Sequence, residues 1–213
     1  PVIVGGGTVE LVMPESVIWA DAPDRDEPGT PNAVGAVAMA RACRVLSQVG
    51  MDRIAAHDVA LRDHAVAALE GIPGVRTFGN AAPKEFKRVG VISFDTDRMH
   101  HGLLAAVVGH EWGIGVRHGC FCAHPYLIRL LNVSAAQMEK YVAQAQVRDH
   151  RDFPGLIRLS LGAYNTRAEV DYAIEAVRRV LEDGPRARYV MDRSTGDYVP
   201  EDADSRLDDC FQP

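Results

Sequence analysis

No run in this 213-residue chain approaches the roughly 20 consecutive apolar residues of a transmembrane helix. The opening Pro1-Val2-Ile3-Val4-Gly5 lacks the basic start and long apolar stretch of a secretory signal. An initiator methionine is also missing, so a truncated amino terminus is expected. Positive charge is in deficit. The 23 Lys and Arg against 29 Asp and Glu leave a formal net charge of −6, which argues against non-specific binding to nucleic acid or an anionic membrane surface. Cysteine is sparse: Cys43, Cys120, Cys122 and Cys210 do not make a disulfide framework in a chain this long, so a reducing, cytosolic compartment is expected. Internal repeats and low-complexity tracts are absent as well.

What remains is ordinary for a soluble globular protein, with 47% hydrophobic and 24% charged residues. The length suits one domain, or a small domain plus part of another. Residues 1–31 are dense in Gly, Pro and Asp and read as strand fragments and loops, the tail end of a domain. Thr30-Pro31-Asn32 predicts a helix start, with Thr30 as N-cap, Pro31 in the first turn and Gly50 as C-cap. A second helix is predicted from Met51 to Leu69. Strands are predicted over 90–94, 114–117 and 156–161. Helices are predicted over 101–112, 125–131 and 134–148, and in an amphipathic stretch capped by Thr166. That order predicts an α/β fold: a small domain with helices packed on a mainly antiparallel sheet, over residues 32–183 together with the linking helices. Residues 184–213 form a polar tail, a hairpin around Ser194-Thr195-Gly196 or a disordered end.

The segment His118-Gly119-Cys120-Phe121-Cys122-Ala123-His124 concentrates the chemistry. A thiol beside the guanidinium of Arg117 would favour its thiolate, and in extended chain Cys-x-Cys puts both sulfurs on one side. Two inert buried cysteines are the plain alternative. A metal module built from His118, Cys120, Cys122 and His124 is a further one, although zinc sites usually space their cysteines more widely. Thr30 at a helix start could join backbone amides in an anion site, but most such starts are simple caps. Arg158, inside an apolar strand, needs a partner if buried, and bidentate recognition of a carboxylate would provide one. An edge strand with Arg158 facing water is the plainer reading. Gly5-Gly6-Gly7-Thr8 lacks the spacing and lysine of a P-loop and reads as a flexible turn.

Taken in order, several of these segments resemble the later portion of cysteine desulfurases and their class V aminotransferase relatives. They are Gly5-Gly6-Gly7, Gly29-Thr30-Pro31-Asn32, Gly113-Ile114-Gly115-Val116-Arg117, Cys122-Ala123 and Arg158-Leu159-Ser160-Leu161-Gly162-Ala163-Tyr164-Asn165-Thr166, followed by Glu169-Val170-Asp171. The resemblance implies a fold type I pyridoxal-phosphate enzyme acting on a small amino acid, normally a homodimer with sites at the subunit interface. Residues 1–31 would then end its large domain. The resemblance also implies roles. Thr30 would reach the phosphate of the partner subunit's cofactor, and Arg158 would hold the substrate α-carboxylate. Arg117 would support the loop cysteine, and Cys122 would take sulfur from substrate cysteine as a persulfide. Cys120, where common desulfurases have a single loop cysteine, is a candidate accessory thiol outside the resemblance.

The family's cofactor lysine lies upstream of the triple glycine, and Lys84, Lys87 and Lys140 fall outside every matching motif. By itself the chain is therefore expected to be inactive. The Cys-x-Cys also resembles that of molybdenum cofactor sulfurases, and the stretch from Tyr126 to Pro154 is longer than the equivalent loop. An aminotransferase or another pyridoxal-phosphate lyase with incidental cysteines is the alternative. No metal, nucleic acid or membrane partner is expected.

Overall fold

A computed structural model describes residues 1–79 and 88–202. Lys84, Lys87 and Cys210 lie outside the described residues. The chain divides into two units, residues 1–53 and 54–213.

In the first unit, β1 (Val9–Met13) and β2 (Ser16–Trp19) form an antiparallel hairpin. A 3₁₀ turn follows, and then α1 (Ala33–Val49). The cap differs from the expectation. Asn32, not Thr30, is the N-cap, because the Asn32 side-chain oxygen accepts a hydrogen bond from Gly35 N at 2.8 Å. Asn is as good an N-cap as Thr or better, and here it competes successfully two residues later. Thr30 and Pro31 therefore precede the helix. Gly50, at a φ of 94°, closes α1 as expected.

The second unit holds the main core. Helix α2 (Met51–Glu70) leads into β3 (Val75–Thr77) and β4 (Val91–Thr96). Next come α3 (His101–Trp112), β5 (Arg117–Gly119), α4 (His124–Leu130) and α5 (Ala135–Gln146). β6 (Leu156–Ser160) and α6 (Arg167–Asp183) follow, and a hairpin of β7 (Tyr189–Met191) and β8 (Tyr198–Pro200) encloses Ser194-Thr195-Gly196. The four-stranded sheet is antiparallel throughout, in the order β3-β4-β6-β5. The architecture is thus the mixed helix and antiparallel-sheet fold that the sequence pattern predicts.

Period-two alternation explains the core. Ile92 and Phe94 on β4, and Ile157 and Leu159 on β6, face a layer built from α2, α3 and α6. Leu61, Ala65 and Leu69 come from α2, Leu104, Val107 and Val108 from α3, and Val170, Ile174, Val177 and Val180 from α6. Thr166 and Glu169 form a capping box at the start of α6, as Ser134 and Gln137 do for α5.

Two predicted elements shift. The strand expected over 114–117 forms instead at Arg117–Gly119, because Ile114 N bonds back to Val108 O in closing α3. The edge-strand reading of Arg158 is overturned, since β6 lies between β4 and β5. Among the described residues, no helix is long and apolar enough to cross a membrane.

Candidate active site

Residues paired across neighbouring antiparallel strands project from the same face of a sheet. Phe94, Ile157 and His118 are so paired and share the helix-covered face. Ser93, Arg158 and Arg117 form the adjacent row and share the opposite face. Arg158 is half-buried there, and its Nε is buried with no hydrogen-bond partner. Its guanidinium lies over the Phe121 ring at 5.1 Å, a cation–π contact that leaves the nitrogen donors unspent. A buried cationic donor without an acceptor is unfavourable by itself, and a carboxylate is the acceptor whose geometry fits it best.

The cysteine segment leaves β5 in a tight turn. Ala123 N bonds to Cys120 O at 2.9 Å, and the two residues between are both left-handed, Phe121 at φ 53° and Cys122 at φ 57°. The extended-chain expectation for Cys-x-Cys is therefore wrong, and its same-side argument for the two sulfurs falls with it. Bulky residues seldom adopt such backbone angles, and consecutive ones cluster at functional loops. The turn separates the two thiols by environment. Cys122 is exposed, whereas Cys120 is half-buried, with its Sγ 3.0 Å from His124 Nε2.

Beside the turn is a cavity of about 670 Å³, lined among others by His101, Arg117, His118, Cys120, Cys122 and Asp197. Its back wall is a chain of polar contacts. His101 Nε2 lies 3.1 Å from Phe153 O, and His101 Nδ1 lies 3.3 Å from His118 Nδ1. His118 Nε2 lies 3.0 Å from Asp197 Oδ1. Gly155 makes room for this arrangement, since a Cβ there would strike the His101 ring.

Burial lowers the pKa of His101 to about 4, reinforced by repulsion from His100 and His118 and opposed by the bond to Phe153 O. An unfolded histidine titrates near 6.5. The unfolded chain therefore binds the extra proton first, and stability is full above about pH 6.5 and declines as pH falls toward 4. The shift from 6.5 to about 4 is worth about 3 kcal/mol at most. Denaturant titrations at about pH 7 and about pH 4.5 should show wild type losing more stability than His101→Gln. Equal losses would remove His101 from the acid response.

Most of the residues singled out in the sequence gather here: Arg117, Cys120 and Cys122 around the cavity, and Arg158 beneath Phe121. Thr30 belongs to the first unit, where it is exposed and its hydroxyl makes no hydrogen bond among the described residues. The orphaned Arg158 donor fits a carboxylate ligand, such as that of an amino acid. Lys140, on α5, is paired with Asp152 at 2.7 Å. The metal alternative gains no support. Among the described residues no three His, Cys, Asp or Glu side chains are grouped to hold an ion, and His118 turns to Asp197 while Cys120 pairs with His124. Sequence reasoning missed His101 and Asp197. The adjacent His100-His101 at a helix start was the available signal for the first, and nothing local signalled the second.

Fold and site together define a class. Residues 1–173 match the family model of class-V aminotransferases, and the chain belongs to that family, whose cofactor is pyridoxal phosphate. Within it, the chain is similar to cysteine desulfurases. It is 31% identical over 182 residues to a probable cysteine desulfurase of Staphylococcus aureus strain COL, covering 85% of this chain and 38% of that protein. It is 34% identical over 180 residues to probable cysteine desulfurase 1 of Mycobacterium leprae, covering 84% of this chain and 25% of that one. Among solved structures, the Escherichia coli cysteine desulfurase CsdA superposes with a TM-score of 0.64 at 27% identity, covering 84% of this chain and 38% of CsdA. The apo cysteine desulfurase of Thermococcus onnurineus gives a TM-score of 0.65 at 26% identity, with 85% and 39% covered. The chain thus spans about two fifths, or less, of the length of the relatives it matches.

Proposed function

We propose that this chain carries the thiol and the carboxylate-binding arginine of a pyridoxal-phosphate-dependent cysteine desulfurase. In this reading Arg158 holds the α-carboxylate of free cysteine, and Cys122 takes its sulfur. The observation that carries the reading is the unpartnered, buried Arg158 Nε on an inner strand, stacked on the aromatic ring of the cysteine turn itself. The likeness to cysteine desulfurases across more than four fifths of the chain supports it.

The cofactor, when bound, supplies an electron sink for the substrate carbons. This chain's residues orient and receive. Arg158 fixes the amino acid by its carboxylate and Arg117 supports the cysteine turn. The Cys122 thiolate attacks the substrate sulfur, the new bond being S–S and the broken one Cβ–S. The Cβ–S electron pair stays with the substrate carbon, which takes up a proton, so cysteine leaves as alanine and Cys122 holds a persulfide. Left-handed φ angles at Phe121 and Cys122 present that thiol to solvent, where an acceptor can collect the sulfur.

The reading includes a homodimer in which Thr30 of each copy meets the cofactor phosphate bound by the other. It assigns none of Lys84, Lys87 and Lys140 to the cofactor, so catalysis needs a lysine-bearing segment besides these residues. A cytoplasmic setting goes with it, because exposed Cys43 and Cys122 stay reduced there.

Arg158→Met in the cofactor-loaded protein should raise KM for cysteine by roughly 10- to 100-fold, equivalent to losing about 1.5–3 kcal/mol of charge-assisted hydrogen bonding. Alkylation of Cys122 by iodoacetamide should be unaffected. An unchanged KM would show that the carboxylate is held elsewhere.

A further inference from the structure

We propose that the cavity beside the cysteine turn binds a small, carboxylate-bearing thiol that collects the sulfur from Cys122. The inference rests on the sulfur-accepting role proposed for Cys122 and adds the class of acceptor to which that sulfur goes.

The cavity and the arginine proposed to hold the substrate lie on different sides of the sheet. Arg158 and Ser93 share one face, and neither lines the cavity. His118 on β5 and His101 on α3 are on the other, helix-covered side and form part of the cavity wall. Cys122 stands between the two. Its neighbour Phe121 stacks on Arg158, while Cys122 itself lines the cavity. Loading and removal of sulfur therefore have separate approaches, and the acceptor need not displace the bound amino acid.

Size and wall chemistry select the acceptor. About 670 Å³ is the size of a small-molecule site. Val116, Phe153 and Pro154 supply apolar surface for its body. Arg117 starts on the Arg158 face, but β5 is the edge strand and the long side chain also borders the cavity. Among the described residues, the Arg117 guanidinium has no hydrogen bond and no ion pair, so it is available to a carboxylate. Asp197, the acid in the wall, lies instead 3.0 Å from His118 Nε2.

The remaining side is closed by the β7–β8 hairpin, whose Thr195, Gly196 and Asp197 border the cavity. The hairpin is firmly seated, although it lies outside the family-matched residues 1–173. Glu111 accepts from Arg186 N at 2.9 Å, from Ala187 N at 3.1 Å and from Tyr189 Oη at 3.3 Å. His150 N donates to Arg193 O at 2.7 Å, and within the tip Gly196 N donates to Asp192 O at 2.8 Å. A Cβ on Gly102 would meet Gly196 O at 3.0 Å, so glycine at 102 permits the close approach of the hairpin to α3. A wall held in this way lets a small molecule bind with little ordering cost.

The transfer balances without an oxidant. The acceptor's thiolate, its proton given to water, attacks the outer sulfur of the Cys122 persulfide. An S–S bond forms to the acceptor, and the bond from that sulfur to Cys122 Sγ breaks. Its electron pair leaves with Cys122 as thiolate, and the acceptor departs as a persulfide.

Discharge kinetics test this. The cofactor-loaded protein would be charged with cysteine, freed of excess, and discharged with increasing thioglycolate or with mercaptoethanol, a neutral thiol of similar size. The thioglycolate rate should saturate, at a half-saturating concentration at least about tenfold below that for mercaptoethanol, equivalent to about 1.4 kcal/mol. Thr195→Phe, which enlarges the hairpin wall, should raise that concentration about tenfold and leave the persulfide formed from cysteine unchanged. Rates that rise linearly with both thiols would overturn the proposal and leave the sulfur to a protein thiol that meets exposed Cys122. Equal half-saturation for the two thiols would overturn it too, as would a Thr195→Phe response identical to wild type. If Thr195→Phe displaces the hairpin's amide shifts, the comparison of the two thiols on wild type decides alone. Absence of persulfide on Cys122 before any thiol is added would instead refute the sulfur-accepting reading, and this inference with it.

Discussion

Cys122→Ala is expected to abolish the transfer of sulfur from free cysteine to the cofactor-loaded protein. Cys120→Ala should leave it within about tenfold, the reach of one lost contact of about 1.4 kcal/mol. The environments of the two thiols give the asymmetry. Cys122 is exposed at the tip of the turn, where an incoming sulfur and an outgoing acceptor can both meet it. Cys120 is half-buried against His124, and its sulfur is already engaged. Alanine tolerates the left-handed backbone no better and no worse than cysteine, so the substitution removes a nucleophile without reshaping the turn. Persulfide that still forms in Cys122→Ala, seen by thiol-selective tagging, would move the acceptor role to another cysteine. Amino-group transfer to a keto acid, insensitive to alkylation of Cys122, would favour the aminotransferase alternative.

Phe94→Ala should lower the unfolding free energy by about 3–5 kcal/mol, a large share of the roughly 5–15 kcal/mol typical of a whole domain. Phe94 is fully buried on β4, in a cluster with residues of α2, α3, α6 and β6. Its replacement leaves a cavity that rigid flanking strands cannot close. Denaturant titration should show a lower midpoint with an unchanged slope. Tyr164→Ala, at an exposed position, provides the contrast and should stay within about 0.5 kcal/mol. A loss below about 1 kcal/mol for Phe94→Ala would mean that the core is not organised around the β4–β6 pair. The site depends on that pair, because β4 and β6 place Ser93 and Arg158 side by side on the far face.

The sequence revealed the fold where periodicity was strong and local chemistry was sufficient. Alternation in Val91–Thr96 and Leu156–Ser160, the Thr166–Glu169 box and the apolar face of α6 are all short-range signals. Boundaries moved where two local solutions competed. Asn32 took the cap from Thr30, and Ile114 was drawn back to close α3 instead of opening a strand. Strand order is a long-range property, so the inner position of β6, and with it the partial burial of Arg158, was not legible from residues 156–161 alone. The same limit hid the back wall of the cavity. His101 and His118 are 17 residues apart, and Asp197 lies beyond both on a hairpin that reads as a polar tail. The cysteine segment was conspicuous as composition, but its left-handed turn was not, because neither Phe nor Cys favours that backbone.

Mapping where the substrate sulfur goes is the decisive experiment for Cys122. The cofactor-loaded protein would be incubated with cysteine, trapped by alkylation, digested and analysed by mass spectrometry alongside amino-acid analysis of the supernatant. One added sulfur is expected on the peptide that contains Cys122, specifically at that residue, with alanine released in equal amount. Unmodified Cys122 with no alanine formed, or alanine formed while the added sulfur sits on Cys43 or Cys120, would contradict it.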